Sequence, residues 1–401
     1  MQMIHKTLFL HSEYLSNIAA IFESQMIFPG HPLLLILFII LAISLIIQLV
    51  YYLLYYLAPA LYIHHDYPPK KDPVSVIICA RNEEENLKNF LPSVLEQDYP
   101  DFEVIVVNDC SEDGSYNVLG EFLKQYPNLR VSNIIKDPKF THNKKFAQFI
   151  GIKAAKNEIL VFTDADCKPD SNRWISDIVS HFDDKTDFVL GYGGYFTKPG
   201  LLNRYIRYDS MSIAMQYLGM AIKRVPYMGV GRNLAYRRSI FFDRKGFGRH
   251  SHLASGDDDL FINSNATGLN CSVEFRKGSH TRSVPASNLF EFFKQKKRHL
   301  TTANYYKLQD KVLLIAEPVS RVLFYVSFII LLLNLYLWPV VLAIFGVRMI
   351  TQFIVFALTQ KILDEKGLLP VMPIFDILSP FINIAIYIGS QRQSAGKNRW
   401  D

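Results

Sequence analysis

The 401-residue chain is 50% hydrophobic and 20% charged, with a net charge of +6. That length carries one sizeable domain plus membrane segments, and the composition leans toward the membrane class. The basic residues gather at Lys70–Lys71, Lys294–Arg298 and Arg392–Arg399, beside apolar stretches, which suits an anionic membrane surface or a phosphate ligand better than a nucleic-acid track, so no nucleic-acid partner is expected. The cysteines at 79, 110, 167 and 271 have no metal-ligand spacing and suggest no disulfide framework, so they read as reduced thiols of a cytosolic domain.

Residues 1–30 hold few basic side chains and read as a non-cytosolic N-terminal segment. Residues 31–63 read as a transmembrane helix: Pro32 to Ile63 carries no charge, and the Leu/Ile-rich part from Leu33 to Leu57 can cross a bilayer. Tyr51, Tyr52, Tyr55 and Tyr56 suggest an aromatic belt at its end, and Lys70–Lys71 place the chain beyond residue 70 in the cytosol by the positive-inside rule. Over 73–309 short β-branched runs alternate with helical patterns. Strands are expected at Val74–Cys79, Phe102–Asn108, Val131–Ile135 and Ile159–Thr163, and helices at Glu83–Gln97, Ser115–Gln125 and Lys145–Lys156. Near-continuous apolar strands separated by helices imply a parallel sheet covered on both faces, with ligands outside the carboxyl ends of its strands. Residues 312–360 read as a transmembrane hairpin around Asn334. Residues 368–390, with three prolines, fit either an interfacial helix or a further span, and the basic tail 391–401 argues for a cytosolic end and the interfacial reading.

Four polar constellations fall at the expected strand ends: Cys79-Ala-Arg-Asn-Glu83, Asn108-Asp-Cys-Ser-Glu-Asp-Gly-Ser115, Thr163-Asp-Ala-Asp-Cys167 and Gly256-Asp-Asp-Asp259. Asp-x-Asp after a buried strand presents two carboxylates from a short turn, a hard-oxygen pair suited to Mg²⁺ or Mn²⁺ shared with substrate phosphates. Three successive aspartates repel one another, and either a general base among cations or a helix N-terminus accounts for them. Phe292 to His299 places cations on one helix, where Arg and Gln side chains can hydrogen-bond a diphosphate.

Together these segments resemble the family 2 glycosyltransferases, the group of cellulose, chitin, hyaluronan and poly-N-acetylglucosamine synthases. The resemblance covers roughly Val74 to Arg298. It implies an α/β fold of GT-A type, Rossmann-like, with flanking transmembrane helices. It implies an inverting, metal-dependent transfer of sugar from a nucleotide-sugar donor, a UDP-sugar first of all, to a membrane-associated glycan or lipid-linked acceptor, with a place in cell-envelope polysaccharide synthesis. By the matching motifs Ala80, Glu83 and Asp109 would line the nucleoside, and Lys144 is the family's lysine. Asp164 and Asp166 match the Asp-x-Asp donor and metal site. Asp258, or Asp257 one residue earlier, would be the base, and Gln295 and Arg298 the Gln-x-x-Arg pair on the diphosphate. His299 stands where processive relatives carry tryptophan, which favours few additions per acceptor. The resemblance further implies a multi-pass protein of the cell inner membrane, with a homo-oligomer or export partner as a further option.

Two alternatives remain: a processive polysaccharide synthase, which needs a channel, and a catalytically inactive nucleotide-binding scaffold. A P-loop ATPase is excluded by the absence of Gly-x-x-x-x-Gly-Lys-Ser/Thr. Arg348 lies mid-span and needs a partner, with Glu317 and Asp376 as candidates and Arg321 the competing partner of Glu317.

Overall fold

The computed structural model describes residues 32–65, 67–68, 70–135, 143–250, 253 and 255–391. The N-terminal segment 1–30 and the basic residues Arg392–Arg399 lie outside them. In chain order, helix α1 (Pro32–Val50) runs into a π-helical turn, Tyr51–Tyr56. Then β1 (Val74–Ala80), α2 (Glu84–Leu95), β2 (Phe102–Asp109), α3 (Ser115–Gln125), β3 (Leu129–Ile134), α4 (Lys144–Ala154) and β4 (Ile159–Asp164) alternate as expected. They continue with β5 (Cys167–Pro169), α5 (Trp174–Val179), β6 (Phe188–Gly191), β7 (Gly193–Tyr195), α6 (Leu201–Ile222), β8 (Leu234–Arg237), α7 (Asp259–Asn265), β9 (Cys271–Glu274), β10 (Thr281–Ser283) and α8 (Leu289–Leu300). Three long apolar helices close the described chain: α9 (Leu308–Leu333), α10 (Trp338–Ile362) and α11 (Met372–Gln391).

The chain divides into two units. The larger holds a seven-stranded sheet of order β3-β2-β1-β4-β8-β6-β9. All seven residues of β1 are buried, as a β-branched strand paired on both sides should be. β1 pairs in parallel with β2 and β4, in a register that sets Cys79 beside Asp164 and Ala80 beside Asn108. The four expected strands do pair in parallel, but β8, which the sequence pattern did not show, runs antiparallel to both β4 and β6. It is only four residues long and is not preceded by the strand–helix crossover that the alternation made visible. Helix α6 is buried around most of its circumference, from Tyr205 through Leu218, so it shows no apolar stripe to read. A second sheet, β5-β10-β7, stands beside the Asp-x-Asp turn.

An aromatic belt would leave the Tyr51–Tyr56 rings at the surface. Instead Tyr51, Tyr52 and Tyr56 are buried, and Leu53 and Leu54 are the exposed side chains of the π turn. In the larger unit Gly219 of α6 admits the Tyr55 carbonyl so closely that no side chain fits there.

Among the described residues four helices are long and apolar enough to cross a membrane, including Met372–Gly389. Pro370 precedes this last helix, and Pro373 and Pro380 do not break it. α11 continues past Pro380 as one helix. Its Phe375 packs on Tyr205, with centroids 5.2 Å apart, while Ile374, Phe381, Ile384 and Ile388 remain exposed.

In the smaller unit, Leu41, Phe324, Tyr325, Leu331 and Val341 form the core. Arg348 is fully buried there and donates to Tyr325 Oη (2.8 Å), Gln352 Oε1 (3.2 Å) and Gln48 Oε1 (3.0 Å). Gln48 in turn donates to Ser320 Oγ and to the Glu317 carbonyl (2.9 and 3.0 Å). Glu317 takes the expected bond from Arg321. Interhelical bonds of this kind are worth about 1 kcal/mol each. Gln48→Leu is therefore expected to lower the thermal midpoint of the detergent-solubilised protein while nucleotide affinity stays unchanged. An unaltered midpoint would count against the network as a fastener.

Candidate active site

The site grows from the carboxyl ends of β1, β2 and β4. Directly after β1 and β2 the chain turns through left-handed residues, Asn82 (φ 55°) and Cys110 (φ 56°). Asparagine tolerates this conformation and cysteine does so at some cost. The two loops are stitched together. Asn82 N donates to Ser111 Oγ, Glu112 N to Asn82 Oδ1, and Glu83 N to Ser115 Oγ, at 2.8 to 3.0 Å. A Cβ at Gly114 would meet the Glu84 carboxylate at 2.5 Å, so a side chain there would displace the carboxylate that accepts from Gly114 N. Ala80 and Asp109 are completely buried at the strand ends, and Glu83 is half-buried at the start of α2.

Burial, aided by the charges of Asp166, Asp164 and Asp113, pushes the Glu83 carboxyl up to about 7 against the bond from Asn86. A carboxyl with a raised folded pKa contributes stability at low pH that is lost as pH rises through that value. Glu83→Gln should therefore show a smaller fall in thermal midpoint between about pH 5 and pH 8 than the parent protein. Parallel curves for the two would mean that Glu83 titrates normally.

The next strand end binds three motifs into one cluster. Asn143 caps α4 by accepting from Phe146 N at 2.9 Å. That places Lys144 on the first turn, with Nζ 2.6 Å from Asp164 and 3.8 Å from Asp257. Burial alone would lower the Lys144 pKa, but Asp164, Asp257 and Asp258 outweigh it and hold the ammonium charged. Asp164 is correspondingly held low against its burial by Lys144, with Arg232 and Arg298 adding. Asp166 is pushed up by burial and by the Asp164 charge. It accepts from Ser283 Oγ at 3.2 Å and from Cys167 Sγ at 3.4 Å. Ligand atoms of Asp164, Asp166 and Cys167 lie within 4.8 Å of one another. The two carboxylates, one of them destabilised by its neighbour's charge, fit a divalent cation.

The three aspartates after Gly256 have separate tasks. Gly256 has φ 97°, and a side chain there would meet Leu260 at 2.5 Å. Asp257 is buried, and burial with the Asp258 charge raises its pKa against Lys144. Asp258 is half-buried at the N-cap of α7, accepting from Gly231 N (2.6 Å) and Asp259 N (2.8 Å). Asp259 turns away to accept from Thr302 Oγ1 (2.5 Å) and Tyr306 Oη (2.8 Å). Asn263, one turn further along α7, donates to Asp310 at 2.8 Å and accepts from Lys307 N at 3.0 Å. The helix-start reading of the triple aspartate is met by Asp258, while Asp257 stands beside Lys144 and Asp259 is turned toward Thr302 and Tyr306.

Helix α8 is capped by Asn288, which accepts from Glu291 N at 3.0 Å. Gln295 on this helix donates to Tyr195 Oη at 3.3 Å, Lys296 pairs with buried Asp209 at 2.7 Å, and the Arg298 charge acts on Asp164. His299 lies exposed toward the end of α8. Lys144 and Arg298 thus act on Asp164, Asp257 joins through Lys144, and Glu83 is reached by the charges of both Asp164 and Asp166, while Ala80 and Asp109 lie at the ends of β1 and β2 and Gln295 reaches Tyr195. Two further members escape sequence reasoning. Arg232 lies 4.3 Å over the Tyr195 ring, and its charge acts on both Asp164 and Asp166. The signal was a pair of glycines, Gly229 and Gly231, ahead of an arginine outside any periodic segment. Cys167 is the other, set toward Ser283 by the β5–β10 pairing.

A mixed sheet with a carboxylate pair and a lysine at its carboxyl edge is the α/β architecture of nucleotide-diphospho-sugar transferases, the GT-A fold. It shares this fold with a mannosyltransferase from Pyrobaculum calidifontis solved with GDP-Man and Mn²⁺, at a TM-score of 0.55 and 18% identity over 83% of this chain and 99% of that one. Residues 75–243 match the model for glycosyl transferase family 2, and they form a domain of that family. Its relatives include glycosyltransferase AglE of Haloferax volcanii, 34% identical over 46% of this chain and 58% of that protein. A poly-beta-1,6-N-acetyl-D-glucosamine synthase of Staphylococcus epidermidis is 33% identical over 23% of this chain and 21% of its own length. The chain spans about half the length of the first two curated relatives it matches.

Proposed function

We propose that the protein is an inverting glycosyltransferase that moves a sugar from a nucleotide-sugar, a UDP-sugar first of all, to a membrane-associated glycan or lipid acceptor. The observation that carries this reading is Lys144 Nζ standing between Asp164 and Asp257, 2.6 and 3.8 Å away, which unites the donor and base motifs in one cluster. In this reading Ala80, Glu83 and Asp109 face the nucleoside, and Gln295 and Arg298 face the diphosphate. Asp166 and Asp164 would hold Mg²⁺ or Mn²⁺, which when bound neutralises charge on the departing diphosphate. Asp258, the more accessible of the two candidate carboxylates, takes the proton from the acceptor hydroxyl. That oxygen bonds to the anomeric carbon from the face opposite the leaving group, and the carbon–oxygen bond to the nucleoside diphosphate breaks with its electron pair. Arg298 and Lys144 meet the developing negative charge with fixed cations.

The four apolar helices support placement in a cell membrane, and Lys70–Lys71 support a cytosolic catalytic unit. The exposed apolar side of α11 supports a helix lying at the interface. His299 at the tryptophan position favours one or a few additions over a long polymer. The direct test is incubation of the purified protein with radiolabelled UDP-sugars and GDP-mannose, a native lipid extract and Mn²⁺ or Mg²⁺. Metal-dependent label in the lipid or glycan fraction is expected from one donor. Nucleotide binding without transfer or donor hydrolysis from any of them would favour the inactive-scaffold reading.

A further inference from the structure

Beside the donor cluster lies a cavity of about 440 Å³, walled by the β5–β10–β7 sheet and by the segment between α10 and α11. Arg207, Lys277, Arg282 and Lys366 line it, against the carboxylates Asp170 and Asp364. Behind the wall, Glu365 is buried and grips both arginines, Arg207 Nε at 2.8 Å and Arg282 Nη1 at 2.5 Å. Cations therefore outnumber carboxylates even when Glu365 is counted. The arginines are fixed in place before any ligand arrives. Arg282 is further held by Asp170 (3.2 Å) and the Leu363 carbonyl (3.0 Å), and Arg207 Nη2 by the Lys366 carbonyl (3.0 Å). Among the described residues these bonds leave Arg207 Nη1 for a ligand. Gly194 is part of the same arrangement, because a side chain there would collide with Arg282 and Glu365. Lys277 and Lys366, with side chains 70% and 83% exposed, stand at the mouth.

Two features say what enters. Tyr195 is a shared wall: it lines this cavity, and its other contacts are Gln295 and Arg232 of the donor cluster. A ligand here lies one aromatic ring away from the groups around Asp166. The opposite wall comes from residues 363–371, the short link between two helices that are each apolar enough to cross a membrane. Fixed guanidiniums with exposed ammonium groups at the rim, Lys277 and Lys366 lying 3.1 and 4.0 Å from Asp364, are a phosphate-binding combination. We propose that this cavity is the acceptor-side subsite and that it recognises a phosphate ester on the acceptor. This rests on the transferase reading above. The shared chemistry of a lipid-linked phosphate and a soluble sugar phosphate is a monoester or diester dianion or monoanion presented beside the nucleophilic hydroxyl.

The test uses the full chain in detergent micelles. The probes are a polyprenyl phosphate in mixed micelles, glucose 1-phosphate, glucose and, separately, UDP with Mn²⁺. Lys277→Glu combined with Lys366→Glu changes only exposed side chains, so the fold should persist. The expected result is that at least one phosphate probe binds, that glucose does not, and that the double variant weakens phosphate binding at least tenfold while UDP affinity stays unchanged. The corresponding double alanine variant should give a smaller loss in the same direction. Binding of the polyprenyl phosphate alone assigns the lipid source, and binding of both phosphates assigns the phosphate group itself. Equal phosphate affinity in the double variant and the parent, or glucose binding as tightly as its phosphate, would overturn the proposal. Absence of UDP binding to the parent would strike the donor-site reading instead, and the phosphate titrations would still decide the cavity.

Discussion

Replacing Asp258 with asparagine is expected to lower turnover by about two to four orders of magnitude, the usual contribution of a general base, while donor affinity stays within about twofold. The reasoning is geometric. Asp258 uses its two oxygens to accept Gly231 N and Asp259 N and so caps α7. Asparagine keeps one oxygen to accept Asp259 N and cap α7, while its amide NH2 cannot accept Gly231 N, so the helix should survive at a small cost in stability and the proton acceptor is lost. The loss should therefore appear in kcat and not in the donor KM. Asp257→Asn is expected to behave differently. Asp257 is buried beside Lys144, and neutralising it alters the charge balance that holds Lys144 on Asp164. Donor binding and turnover should then fall together. A selective kcat loss in Asp257→Asn with normal turnover in Asp258→Asn would move the base by one residue.

Asp166→Asn should be the other severe variant. Burial and Asp164 make the Asp166 charge costly in the free protein, and a divalent cation offsets that cost. Removing the carboxylate is expected to abolish metal-stimulated turnover and to weaken Mn²⁺ binding, followed by titration calorimetry or by paramagnetic relaxation of water, by more than tenfold. Asp164→Asn should also release Lys144, so its damage should extend to the nucleotide affinity measured without metal. If Asp166→Asn keeps full, metal-stimulated activity, the cation is held elsewhere.

The parallel half of the sheet was legible because β1, β2 and β4 are buried on both faces and read as unbroken apolar runs ending in polar residues. The motif residues were legible for the same reason, since strand ends place them. β8 and α6 were not. β8 has four residues and reverses direction, and α6 is surrounded, which erases the periodicity that reveals a surface helix. The triple aspartate showed that charge repulsion needed relief, but the relief comes from Gly231, Lys144, Thr302 and Tyr306, which are distant in sequence. Arg232 belongs to the site through a loop whose path no local pattern dictates. The phosphate cavity is more distant still, since Arg207, Arg282 and Glu365 meet only after the chain has completed its last return.

The hydrogen bonds from Thr302 and Tyr306 to Asp259, and from Asn263 to Asp310, join the helix beneath Asp258 to the threshold of α9. The apolar helix is for that reason more than a tether. Trimming the chain ahead of residue 302 to obtain a water-soluble piece would remove the footing of α7 along with the membrane segment. The aspartate cluster would then be left to repel itself.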